Sequence, residues 1–167
     1  YSPLIPTLEL LGFLALQKKK WRQASQYFEE ALNEGAADLY DKMSRSRIFL
    51  YSKEAYDGLG KKDMAHRAQT AGLEAWKALL DQELPKALRG TVLAEIGKAL
   101  WEAGSTKAAI VAFQRSIDID ANGTNAAARA VHFFLLHRKY AEALDAFHHA
   151  IGNYHVPSYF KVYMSLW

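Results

Sequence analysis

Histidine has the widest chemical range of the residue types in this sequence. Five of the six histidines, His132, His137, His148, His149 and His155, fall within one stretch. A metal site asks for imidazoles at i, i+3 or i, i+4 with a carboxylate beside them. His132 and His137 are five apart, and His148 and His149 point to different sides of a helix. They read as solvated or partly packed rings, with a pH-sensitive contact as the further option. Glu29–Glu30 and Asp118/Asp120 are carboxylate pairs. General acid–base work needs one such pKa raised, and Glu29 and Glu30 are expected on an exposed helix side as solvated charges. With no cysteine, the chain has no disulfide, thiolate nucleophile or thiolate metal site. No His-Glu-x-x-His, Walker loop, G-x-S-x-G or G-x-G-x-x-G motif occurs, and Gly58-Leu59-Gly60 lacks the strand and the third glycine. The expectation is a chain with no catalytic residues, no cofactor and no metal.

The net charge of +3 is mildly basic. Lys18, Lys19 and Lys20 form a run, and Arg45, Arg47, Lys53, Lys61 and Lys62 add charge further on. Nucleic-acid binding would require one continuous basic face with stacking aromatics. Trp21, next to the lysine run, is expected in a buried packing position instead. The expected partner is therefore a protein or peptide, steered by surface charge, and no nucleic acid. Leu4 to Leu16 is apolar but only 13 residues long, with Pro6 and Glu9 inside it. A span needs about 20 residues, so no direct membrane insertion is expected, and the stretch lacks signal-peptide features. The chain starts at Tyr1 without Met and stops at Trp167 in an apolar stretch, which reads as a segment of a longer protein. The compartment stays open, with the cytoplasm favoured and the periplasm compatible.

Helices must position these residues. Apolar residues recur at spacings of three and four, as in Phe28, Ala31, Leu32 and in Leu93, Ile96, Gly97, Leu100. Half of the residues are hydrophobic, yet none of the runs alternates as a strand would. Breaks at 17–20, 35–38, 58–63, 84–86, 103–106, 121–124, 138–139 and 153–157 predict eight helices and the start of a ninth. Short turns make consecutive helices antiparallel neighbours. The fold class is all-α.

The helices repeat. Gly97, Leu100, Gly104, Ala109, Phe113, Ser116 and Ile117 align with Val131, Phe134, Arg138, Ala143, Phe147, Ala150 and Ile151, 34 residues later at each position. The first repeat follows the same template through Gly12, Ala24, Phe28, Ala31 and Leu32. In the second, the series is expected at Ala68, Gly72, Ala75 and Trp76, on longer helices of about 39–59 and 63–84. Small residues would let paired helices approach closely, and Phe28, Phe113 and Phe147 would fill the space between pairs. Tyr27 and Tyr140 are also expected at packing positions.

This spacing of small, aromatic, small and Leu/Ile residues on the second helix resembles the tetratricopeptide repeat family. The resemblance implies a single domain over 1–167, a right-handed α-solenoid. Its units would span about 5–38, 39–89 (irregular and elongated), 90–123 and 124–157, with a terminal helix at 158–167. It further implies that the first helix of each pair lines a concave groove that binds a protein or peptide. On that mapping the groove residues are Glu9, Phe13 and Gln17; Arg47 and Tyr51; Lys98, Trp101 and Glu102; and Asn125, Arg129, His132 and Leu136. The family's modules for acidic tails place Lys and Asn where Glu9 and Phe13 stand, so that activity does not carry over. The expected function is a non-catalytic interaction scaffold. The alternatives are a regulatory segment of a larger enzyme, such as a kinase or transferase, and a unit that self-associates through the C-terminal helix.

Overall fold

The structure, a computed structural model, describes residues 4–119 and 124–153. Among them the fold is all-α. Eight helices follow in chain order: α1 (Leu4–Gln17), α2 (Trp21–Asn33), α3 (Leu39–Gly58), α4 (Lys62–Leu80), α5 (Lys86–Glu102), α6 (Thr106–Ile119), α7 (Thr124–Leu136) and α8 (Tyr140–Asn153). The predicted helix at 158–167 lies outside the described residues.

One turn, used four times, makes the helix pairs. Lys19, Gly60, Gly104 and Arg138 have positive φ angles of 55°, 73°, 80° and 56°. Each donates its amide to the carbonyl three residues back: Leu16 at 2.8 Å, Asp57 at 3.0 Å, Trp101 at 2.9 Å and Leu135 at 3.0 Å. The next amide reaches five residues back, to Ala15, Tyr56, Leu100 and Phe134, at 2.8–2.9 Å. This is the Schellman ending, which satisfies orphan carbonyls at a helix C-terminus and favours Gly. Lysine and arginine in two of the four places carry a left-handed strain of about 1–2 kcal/mol each.

The left-handed residue also sets the register of each pair. Five positions after it stand Ala24, Ala65, Ala109 and Ala143, all buried. The second pair's small residue is thus Ala65, not Ala68. Its series runs Ala65, Gln69, Gly72, Leu73, three residues earlier than expected. Alanine at both 65 and 68 made both frames legible in sequence, and only the hydrogen-bonded turn chooses between them. The position filled by Phe28, Phe113 and Phe147 in the other pairs is therefore held by Gln69. Its Nε2 is shut from solvent without a hydrogen-bond partner, a state that costs about 1–3 kcal/mol. Gln69→Met keeps the chain length and removes the orphaned amide. It should raise the urea midpoint by the equivalent of about 1 kcal/mol, and an unchanged midpoint would place the amide in water.

Helix α4 ends at Leu80, short of the expected 84. Asp81 and Glu83 put negative charge at a helix C-terminus, where the dipole opposes it, and Pro85 bars Leu84 from helical geometry. At the start of α3, Asp38 accepts the Asp41 amide at 2.9 Å while Asp41 Oδ2 accepts the Ala37 amide at 3.0 Å, a reciprocal cap.

The chain divides into two compact units, residues 1–82 and 83–167. In the first, Phe28 lies on Gly12 inside its own pair and reaches Tyr51 of α3 with ring centroids 6.0 Å apart. Trp21 is half-buried, short of the full burial expected, and covers Gly58 of α3. In the second unit Phe113 covers Gly97 and meets Phe133 and Phe134 of α7, each at 5.1 Å. Ser116 Oγ donates to the Gly90 carbonyl at 2.6 Å, tying α6 to α5. Tyr140 departs from its expected packing role and is 64% exposed. It occupies the place Trp21 holds in the first pair, and no described element lies where Gly58 lies for Trp21.

Glu29 lies on the exposed side as expected, and it also accepts a hydrogen bond from Tyr56 Oη at 3.0 Å. Burial of Tyr56, then the Glu29 hydrogen bond and charge, push the phenol up from 10.0 to about 12. A raised pKa contributes stability that is whole below the unfolded value and is lost as pH climbs through the folded one. The advantage of wild type over Tyr56→Phe in urea denaturation should therefore be constant below pH 10 and shrink toward pH 12. An advantage independent of pH would contradict this coupling.

Candidate functional site

The turn geometry places the first helix of successive pairs side by side within each unit. In the N-terminal unit α1 meets α3. Glu9 pairs with Arg47, Nε to Oε1 at 2.6 Å and Nη2 to Oε2 at 3.0 Å. One turn further along both helices, Phe13 meets Tyr51 with centroids 5.4 Å apart. Both contacts advance together, so α1 and α3 run in the same direction. Four of the expected groove residues thus come together, and they satisfy one another. The fork geometry is bidentate, Arg47 also donates to Ser44 Oγ at 3.0 Å, and the side chains of Glu9 and Arg47 are only 13% and 34% exposed. Gln17 is exposed at the end of α1.

In the C-terminal unit α5 meets α7 in the same manner, and the result is more open. Glu95 takes Lys98 at 2.9 Å and Arg129 at 3.4 Å, so two cations share one carboxylate. Trp101 is half-buried. Its ring meets Phe133 edge-on at 5.7 Å and His137 at 5.8 Å, and the Lys139 ammonium stands 5.9 Å from it. That approach lies within cation–π range. His132 is exposed, as is Leu136 at 69%. Glu102 is exposed at the end of α5 and Leu136 at the end of α7, both two residues before a left-handed turn residue. The side chain of Asn125 lies outside the described residues.

Reasoning from sequence missed His137 and Lys139 as part of this face. His137 packs at a tilt against Phe133 with centroids 4.4 Å apart. The signal was present, since residues four apart share a helix face, although the five-residue gap from His132 to His137 is no metal spacing. Among the described residues no three His, Asp or Glu side chains gather as a cation site, and no described helix is long and apolar enough to cross a membrane.

No family model and no curated protein sequence matches this chain. What this face can do follows from its own chemistry: a half-buried indole, an aliphatic side chain held out to solvent, and guanidinium and ammonium groups in excess over carboxylates.

Proposed function

We propose that this chain is a non-catalytic interaction module of tetratricopeptide type, which binds a protein or peptide segment on the first-helix face formed by α5 and α7. One observation carries the reading. Trp101 is framed by Phe133, His137 and Lys139 but keeps part of its ring in solvent. Half-buried Trp and Arg are the residue types that dominate binding energy at interfaces. On α1 and α3 the carboxylate and guanidinium are matched one to one, whereas two cations share Glu95 on α5 and α7, and this excess charge favours the C-terminal unit. The repeated turn, with its alanine five residues on, supports the family resemblance.

The test is crosslinking capture from native extract, with mass spectrometry. Trp101→Ala combined with Arg129→Ala should leave helicity unchanged and reduce recovery of the specific partner about tenfold or more. Equal recovery by wild type and the double variant would remove the face from the proposal.

A further inference from the structure

Helix α1 is apolar on nearly every side, yet neighbours cover only part of it. Leu4, Leu10, Leu11, Phe13 and Leu14 are all exposed by more than a third. A helix that is hydrophobic all round is ordinarily buried all round, and exposed apolar patches of this kind mark interaction sites. Phe13 belongs to the α3 side through Tyr51. Leu4, Leu11, Leu14 and Lys18 form a separate stripe at seven- and three- to four-residue spacing. That stripe borders α2. Between the two helices lies a depression of about 210 Å³, floored by Leu11, Leu14 and Ala15 and rimmed by Lys18, Lys20, Gln23 and Tyr27.

The charges along this groove are polarised. Lys18, Lys19 and Lys20 stand at the turn end. Glu30 follows Tyr27 along the same edge of α2, toward the opposite end, because α2 runs antiparallel to α1. We propose that this groove is a second, separate docking site, which receives one amphipathic helix of a partner protein. The helix would carry apolar residues at i, i+3 or i+4 and i+7, with a cluster of carboxylates at the end that meets Lys18–Lys20. The recognition mode is helix-in-groove.

Two other occupants fit the charges less well. In the parallel register seen for α1 on α3, a second copy stacking its α1 on α7 would set Lys18–Lys20 beside Arg138 and Lys139, like against like. An anionic membrane would meet Glu30 on the same surface, and it is flat where the groove is concave. Lys19, between the two lysines that rim the groove, holds a left-handed position where glycine would be less strained.

The probe is a labelled synthetic helix of about 16 residues, long enough to lie along α1, with four leucines on one face, three glutamates in its first turn and two lysines in its last. Controls replace the glutamates by glutamine or lysine. Fluorescence anisotropy with the full chain at low salt should show the acidic peptide binding about tenfold tighter than the glutamine control. The advantage should fall with added salt and disappear in Lys18→Glu/Lys20→Glu. Leu11→Asp, at an exposed position, should abolish binding with helicity retained. Lys19→Gly should raise the melting temperature while weakening the acidic peptide. Absence of binding, equal binding of the glutamine control, or indifference to the lysine substitutions overturns the proposal. So does concentration-dependent dimerisation, or binding to anionic vesicles, that Leu11→Asp abolishes.

Discussion

Phe113→Ala should destabilise the C-terminal unit by about 3–5 kcal/mol, the range for a truncated core aromatic. Phe113 is 1% exposed. It sits against the backbone of Gly97, 3.0–3.1 Å from where a Cβ there would lie, and against the rings of Phe133 and Phe134. Those rings cannot easily close over the space left behind. Trp101 meets both at 5.7 and 5.8 Å, and Phe133 packs against His137. The cost of a large-to-small change rises with the residual cavity, and a hole walled by mutually braced rings collapses little. Urea denaturation gives the total loss. Amide hydrogen exchange should show it concentrated in α5, α6 and α7, because Phe113 is the side chain these three helices share. A loss below about 1 kcal/mol would mean that the rings repack.

Gly12→Ala is the second large effect, and its sign is opposite to what the helix alone would give. In a helix interior Ala is better than Gly by about 1 kcal/mol. At Gly12 a methyl group would lie 2.2, 2.6 and 2.8 Å from three ring atoms of Phe28. Phe28 is itself fully buried, so the ring has nowhere to move without separating α1 from α2. A net loss of about 2–3 kcal/mol is expected, read as a drop in melting temperature of several degrees. Gly97→Ala is the internal comparison. The corresponding distances to Phe113 are 3.0–3.1 Å, which a shift of a few tenths of an ångström relieves, so its loss should be clearly smaller. Phe28→Leu in the Gly12→Ala background should recover part of the loss, giving a non-additive cycle of about 1 kcal/mol or more. Equal effects at the two glycines would show that the close approach at Gly12 relaxes freely.

Much of this fold was legible before any tertiary contact was known. Phe28, Ala31, Leu32 and their counterparts repeat at helical spacing, so the helices and their apolar faces follow from local geometry alone. Gly12, Gly97, Phe28 and Phe113 were legible as small and large packing positions, but the phenylalanines were expected only between pairs, and each also lies on the glycine of its own pair. The second pair was not legible in the same way. It puts Lys53 where Gly12 and Gly97 stand, and Gln69 where the phenylalanines stand. The close approach moves instead to Gly72, where a methyl group would lie 2.8 Å from Leu50. The small residue has passed from the first helix to the second. A template that expects it on the first helix slips by three residues, to the next alanine.

The candidate site was legible as a set of positions but not as a set of states. Glu9, Phe13, Arg47 and Tyr51 were expected as one face, and the structure brings all four together. It also matches the charges one to one, Glu9 with Arg47, and sets Phe13 against Tyr51 while leaving Phe13 partly in solvent. Lys98, Trp101 and Arg129 lie on the first-helix face of the other unit, and there two cations share one carboxylate beside a half-buried indole. Nothing in the residue types separates the two cases. Each face holds a glutamate, an arginine and large aromatics.

By itself the sequence determined that the chain is helical, that its helices come in pairs and that small and aromatic residues alternate between them. Those features depend on neighbours three, four or seven positions apart, whose relation is set by the helix geometry itself. Only the tertiary structure decided which alanine anchors the second pair, which carboxylate meets which guanidinium and which apolar face of α1 is left uncovered. Those depend on groups such as Glu9 and Arg47, 38 residues apart. Their meeting is set by where each left-handed turn ends one helix and by how closely a glycine lets the next helix approach.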